Sequence, residues 1–130
     1  MQFPSQAWAD ALKNALNANA EYAKAAEMWE GDILLRVGAT TSPAPGVALT
    51  LAHGTCQEAT YHEDASAVAS EYVFEGSAET WSKLIHRQLD PVGAIMGGTI
   101  RVKGNLAKLL RFTRAAKELV ETAGSIPVDP

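Results

Sequence analysis

Cys56 is the only cysteine in the chain, so no internal disulfide can form and the fold must hold without covalent staples. No stretch approaches the ~20 consecutive apolar residues that cross a bilayer, which argues against an integral membrane protein. The first residues, MQFPSQAW, lack the basic segment and apolar run of a secretory signal. A reducing cytoplasm is therefore the expected location. Internal repeats and low-complexity blocks are missing, which excludes solenoids and long linkers. The phosphate-cradling patterns G-x-x-x-x-G-K-[ST] and G-x-G-x-x-G are absent, as is the nucleophile elbow G-x-S-x-G.

What is present is ordinary globular material: 130 residues, 47% hydrophobic and 20% charged, enough for one domain with its own core. The net charge of −4 is unevenly spread. Residues 1 to 80 hold 3 Lys/Arg against 11 Asp/Glu, and residues 81 to 130 hold 8 against 4. The acidic total weighs against a nucleic-acid binder, whereas the basic C-terminal part suits an anionic head group, phosphates or a membrane surface, or is simply a solvated helix face.

Along the chain, Trp8, Leu12, Ala15, Ala18, Tyr22, Ala25 and Trp29 recur at steps of three or four, which predicts one helix from about 5 to 29. DILLRVGA is β-compatible, and the prolines of TTSPAPG place a loop after it. GVALTLAHG alternates as a half-buried strand, HGTC reads as a turn, CQEATYH as a second strand and EDASAVAS as a connection. SEYVFEG is the next strand. Ser77 then caps a helix carrying Trp81, Leu84, Ile85 and Gln88. Asp90 and Pro91 open a short helix, PVGAIM, closed by Gly97 and Gly98. TIRVK is a fifth strand, and Asn105 caps a last helix with Leu106, Leu109, Leu110, Thr113, Ala116 and Val120 on one face. Lys108 and Arg111 lie opposite. Lys117 falls near the apolar face and spoils the stripe. The predicted class is α+β: a five-stranded, mainly antiparallel sheet covered on one face by helices.

Catalytic or metal chemistry finds little purchase. His53, Cys56, His62, Glu63 and Asp64 cluster in sequence, but His53-x-x-Cys56 is a single half-site, and polar residues at a hairpin explain the group as well. The Glu63-Asp64 and Glu71/Glu75 pairs sit in turn or strand-edge contexts. No catalytic residue, metal ligand or cofactor is assigned. Apolar material is what stands out: Leu84, Ile85 and Leu89, then Ile95 and Met96, then Leu106, Leu109, Leu110 and Phe112. Such a cluster is either plain core or the lining of a ligand cavity, and composition leaves both open.

The order Trp81-x-x-Leu84-Ile85, Leu89-Asp90-Pro91, Ala94-Ile95-Met96-Gly97-Gly98 and Ile100-x-Val102-x-Gly104-Asn105 resembles the sterol carrier protein 2 domain family, most sharply from 74 to 112. That resemblance implies a single domain over 1–130 with a hydrophobic tunnel between sheet and helices, holding a sterol, fatty acid or fatty acyl-CoA without catalysis. It makes the nine apolar residues above the lining, has Gly97 and Gly98 let the next strand pack close, and makes Lys103, Lys108 and Arg111 contacts for an anionic head group. The chain ends in Val-Asp-Pro, not a Ser-Lys-Leu-type tripeptide. A free-standing cytoplasmic protein of bacterial type is expected.

The partner on this reading is a hydrophobic small molecule, with transient membrane contact and a homodimer left open. One alternative is a dimerisation or accessory module for a lipid-metabolising enzyme, its cavity closed or filled, touching its partner through the outer face of the first helix or through Trp29. Another is an enzyme of small hydrophobic substrates using His53, His62 or Glu63-Asp64.

Overall fold

The computed structural model describes residues 2–38, 44–66 and 68–128. Its first helix, α1 (Gln6–Asn17), begins where Ser5 accepts a hydrogen bond from the Trp8 backbone N–H, and it buries Trp8, Ala9, Leu12 and Leu16. The single long helix expected over 5 to 29 is instead two. Asn19 accepts from the N–H groups of Glu21 and Tyr22 and starts α2 (Ala20–Ala25) afresh, while its Nδ2 donates to Thr122 Oγ1 at 2.9 Å. An asparagine amide competes with the helix for backbone partners, so this side chain ends one helix and caps the next. Tyr22, Ala26 and Trp29 still turn inward, which is why the stripe looks continuous in the sequence.

The strands β1 (Ile33–Val37), β2 (Gly46–Ala52), β3 (Thr55–His62), β4 (Tyr72–Gly76) and β5 (Arg101–Lys103) form one sheet in the order β3-β2-β1-β4-β5. β1 is antiparallel to β2 and parallel to β4, and the β2–β3 and β4–β5 pairs are antiparallel. The turn between β2 and β3 places His53 at φ 51° and Gly54 at φ 82°. Two positive φ values match the right-handed twist of a hairpin, in line with the turn expected at HGTC. The TTSPAPG loop lies mostly outside the described residues, as do Ala67 and the last two residues.

Every residue of β1 and β4 is buried, because both faces of the sheet centre are covered. Ile33, Leu35, Val37, Tyr72 and Phe74 join the helix-side core. On the other face Leu34 and Val73 pack with Ala65, Ala48 and Val68, partly from the connection after β3. That face also holds a buried ion pair. Arg36 on β1 and Glu75 on β4 are register neighbours and form a salt bridge, and Lys103 Nζ reaches the same carboxylate at 3.0 Å.

After β4, Ser77 accepts from the Thr80 N–H and starts α3 (Ala78–Ile85). Trp81 Nε1 donates to Arg36 O at 2.9 Å and ties this helix to the sheet. Asp90 Oδ2 accepts from the Gly93 N–H at 2.7 Å and starts α4 (Pro91–Met96), with Pro91 in its first turn. Gly98 follows at φ 79°, with open space where a Cβ would stand. Its service is conformational, which corrects the expectation that it lets the next strand pack close. Gly104 does that: at φ 135° an added Cβ would lie 2.5 Å from the Tyr72 ring.

The last helix is also two, α5 (Leu106–Leu110) and α6 (Thr113–Gly124). Asn105 caps α5 by accepting from the Lys108 N–H. The break at Arg111 and Phe112 sets the Phe112 ring edge-on to Trp29, centroids 5.1 Å apart, so tertiary packing overrides a sequence that would propagate as one helix. α6 then crosses the domain, touching α1, α2, α3, α4 and α5. Among the described residues no helix is long and apolar enough to cross a membrane.

These contacts have measurable costs. Glu75→Ala is expected to cost about 3–5 kcal/mol in urea unfolding, since Arg36 stays buried without its partner. Lys103→Ala, on a side chain 63% exposed, should cost under about 1 kcal/mol; equal losses would show that the buried pair is not what secures this face. Gly104→Ala should cost about 2 kcal/mol or more, from backbone strain and the Tyr72 clash together.

Candidate functional site

Four consecutive elements bring their apolar sides to one place. Helix α4 contributes Val92, Ile95 and Met96, spaced for one face of a helical turn; β5 and the residue before it contribute Ile100 and Val102; α5 adds Leu106, Leu109 and Leu110; α6 adds Thr113 and Ala116. Together with Gly98, Arg101, Lys103 and Lys117 they surround a cavity of about 490 Å³ that is partly open to solvent. Its rim holds three of the four large hydrophobic residues that stay exposed in the described structure: Met96 at 67%, Leu106 at 53% and Leu110 at 56%. Inward of Leu109 and Ala116, toward Tyr22, Trp29, Leu51 and Leu119, only about 10 Å³ is unfilled. The packed interior ends where the cavity begins.

The structure divides the nine apolar candidates. Ile95, Met96, Leu106, Leu109 and Leu110 stand on the cavity wall. Leu84 and Ile85 do not: they are 4% and 5% exposed, in the core that α3 builds. Leu89 is half-buried beside a different, polar depression formed with Arg87, Gln88, Asp90 and Glu121. Phe112 is pinned against Trp29 instead. Helical periodicity marks a side chain as inward-facing, and core and cavity wall are both inward.

The three basic candidates fare differently. Lys103 borders the cavity, but its ammonium is held by Glu75. Lys108 is engaged elsewhere, with Glu71 Oε1 at 3.0 Å, the Glu30 carbonyl at 2.9 Å and the Trp29 ring beneath it. Arg111 is exposed and lies off the wall. The cation that α6 directs to the cavity is Lys117, 4.0 Å from Glu121. In the sequence Lys117 shows only as a flaw in an apolar stripe, and that flaw is the available signal. Val92 is legible from its spacing to Ile95 and Met96. Ile100, Val102 and Thr113 are not separable by pattern from ordinary strand and helix residues.

The polar cluster near the hairpin builds no site. Among the described residues no group of three or more His, Cys, Asp or Glu converges to hold a metal ion. His53 turns to Glu27 O and Glu30. Asp64 Oδ1 accepts from the N–H groups of Ala44 and Ser66, a turn function. Cys56 is buried, and burial pushes its thiol up to about 11, the opposite of an activated nucleophile. Trp29, suggested as a partner contact, is 3% exposed and sits between Tyr72 and Phe112.

No curated protein matches the chain at a significant level. Among solved structures, a crystal structure of sterol carrier protein 2 shares 34% identity, covering 93% of this chain and 96% of that one, with a TM-score of 0.86. A solution structure from Thermus thermophilus, of a conserved hypothetical protein described as possibly a sterol carrier protein, shares 32% identity over 100% of this chain and 93% of that one, TM-score 0.86. A UbiJ-SCP2 ubiquinone synthesis protein shares the fold at 16% identity and TM-score 0.56, covering 92% and 95%. The model of the SCP-2 sterol transfer family matches residues 10–117, from α1 into α6 and across every element that builds the cavity. Sequence and fold agree over nearly the full length: the chain belongs to the SCP-2 sterol transfer family, whose members bind and transfer lipids.

Proposed function

We propose that this chain, acting as one lipid-binding domain in the cytoplasm, carries an apolar ligand without catalysis and holds it in the cavity between α4, β5, α5 and α6. The ligand class is a sterol, a fatty acid or a fatty acyl-CoA. The observation that carries this reading is the cavity itself: about 490 Å³, within the roughly 300–1,000 Å³ of small-molecule sites, with a wall made mostly of aliphatic side chains. Such a wall offers few directional bonds, so ligand size decides affinity. The tunnel implied by the family would extend from this opening.

Each buried methylene contributes about 0.8 kcal/mol. Lys117, a side chain 47% exposed, adds at most about 1 kcal/mol toward a carboxylate. Chain length therefore outweighs head-group charge. That ranking also accounts for why an apolar wall bordered by a few cations, Arg101, Lys103 and Lys117, serves a carrier better than an enzyme, whose chemistry needs groups aimed at a reacting atom.

Two measurements test the proposal. Displacement of a fluorescent fatty acid, with native mass spectrometry, should show one ligand per chain, tightening on the order of tenfold for each two-carbon extension until the cavity is full; no uptake of any acyl or sterol ligand at micromolar concentration would reject it. Thr113→Phe, which fills the cavity from α6, should weaken uptake at least about tenfold with the fold intact. Lys117→Gln should weaken a fatty acid about two- to fivefold and leave the matching fatty alcohol unchanged. An equal effect on both would remove Lys117 from the head-group role.

A further inference from the structure

The cavity and the small unfilled space inward of it share two wall residues, Leu109 and Ala116. On the outer side lie about 490 Å³ of room, and on the inner side about 10 Å³ ringed by Tyr22, Trp29, Leu51 and Leu119. A void that small is at the lower limit for admitting a water molecule, and an apolar lining leaves it dry. The two spaces are thus parted by one side chain from α5 and one methyl group from α6.

Leu109 differs from its neighbours on the wall. It is the buried residue of α5, whereas Leu106 and Leu110 on the same helix are more than half exposed. Its backbone is fixed on both sides: the N–H donates to Asn105 O at 3.1 Å, and the carbonyl accepts from the Phe112 N–H at 2.9 Å. Phe112 in turn stands edge-on to Trp29. The isobutyl group is held at one depth, and close-packed neighbours behind it confine its rotamer.

We propose that Leu109 is the length stop of the site, the residue against which the far end of an acyl chain abuts, with Ala116 completing the barrier. Any deeper passage toward Trp29 begins behind it. The cations that border the cavity set the direction: Arg101, Lys103 and Lys117 are solvent-accessible, so a carboxylate stays outward and the methyl end goes in. The inference rests on the carrier reading for its ligand, although the barrier itself is a property of the packing. Its consequence is a ceiling. Affinity climbs with each added methylene until the chain end meets Leu109, then stops, because a further carbon has to stay in water at the mouth. Trimming Leu109 to its Cβ joins the inner space to the outer one and raises the ceiling. Bulk added at Ala116 lowers it, since the inner space is too small to take more carbon and the cavity must give up the room.

Displacement of a fluorescent fatty acid by saturated acids from octanoic to eicosanoic locates the length at which affinity stops rising. In Leu109→Ala that length should move up by about three carbons, with shorter acids bound within about twofold of the parent chain. In Ala116→Val it should move down by about two carbons. Leu106→Ala, at the rim, should leave it in place. A further measurement needs no acid: benzene should shift the Trp29 indole N–H resonance in Leu109→Ala and not in the parent, as apolar probes enter engineered apolar voids. Circular dichroism checks that each variant is folded. An unmoved limit in folded Leu109→Ala, or in Ala116→Val should Leu109→Ala fail to fold, overturns the proposal. So does a limit that Leu106→Ala moves equally, or benzene that already reaches Trp29 in the parent. If no acid is taken up at all, yet benzene reaches Trp29 in Leu109→Ala alone, the carrier reading falls and the barrier stands. Acids that bind with a limit none of these variants moves would leave the carrier reading and remove the barrier.

Discussion

The parallel pairing of β1 with β4 is the constraint on which the architecture turns. β2 and β3 fold back as a hairpin on one side of β1, so the chain must cross to the other side to lay down β4, and β5 follows at that end of the sheet before α6 runs back across the domain to α1 and α2. A contiguous stretch of sequence thus ends up around one opening. The crossover has a cost. It buries β1 and β4 on both faces, and the second face has to accommodate Arg36 and Glu75 by pairing them, with Lys103 reaching in from the edge. A carboxylate and a guanidinium taken from water this way are tolerated only together.

The opening persists because its walls are short. Helix α4 and strand β5 are too brief to reach across it, and the break between α5 and α6 pulls Leu109 and Phe112 down onto Trp29 while leaving Leu106 and Leu110 outside. Gly104 makes the approach to α5 tight by passing against the Tyr72 ring. Close packing below and absent packing above arise from the same turn residues. Protein interiors fill voids wherever neighbouring side chains can move into them, and here α4, β5 and α5 are each fixed by a cap or a glycine before they can.

Much of this is legible in the amino acids. Ser5, Ser77, Asp90 and Asn105 each cap a helix that begins where its residue type indicates. The hairpin at His53 and Gly54 and the five strands also follow from local pattern, and the resemblance between 74 and 112 points to the family that the comparisons show. Two kinds of fact are hidden. The interruptions at Asn19 and Phe112 leave the apolar stripe in phase, so periodicity reads straight through them. Leu84 and Ile85 face inward just as Ile95 does, and only the tertiary arrangement separates a residue that meets a neighbour from one that borders space. Charged positions are harder still: Lys108 looks like a free cation in sequence and is tied to Glu71, Glu30 and Trp29 in the fold.

The brevity of β5 bears on association as well as on the cavity. A sheet border with unpaired backbone groups invites strands from other molecules, and a protein with oily side chains beside that border is doubly exposed to polymerisation. Here β5, one of the two outer strands, spans three residues, two of them Arg101 and Lys103. Like charges would be stacked against like wherever two identical copies met through β5, so that edge can border a greasy entrance without pairing with itself.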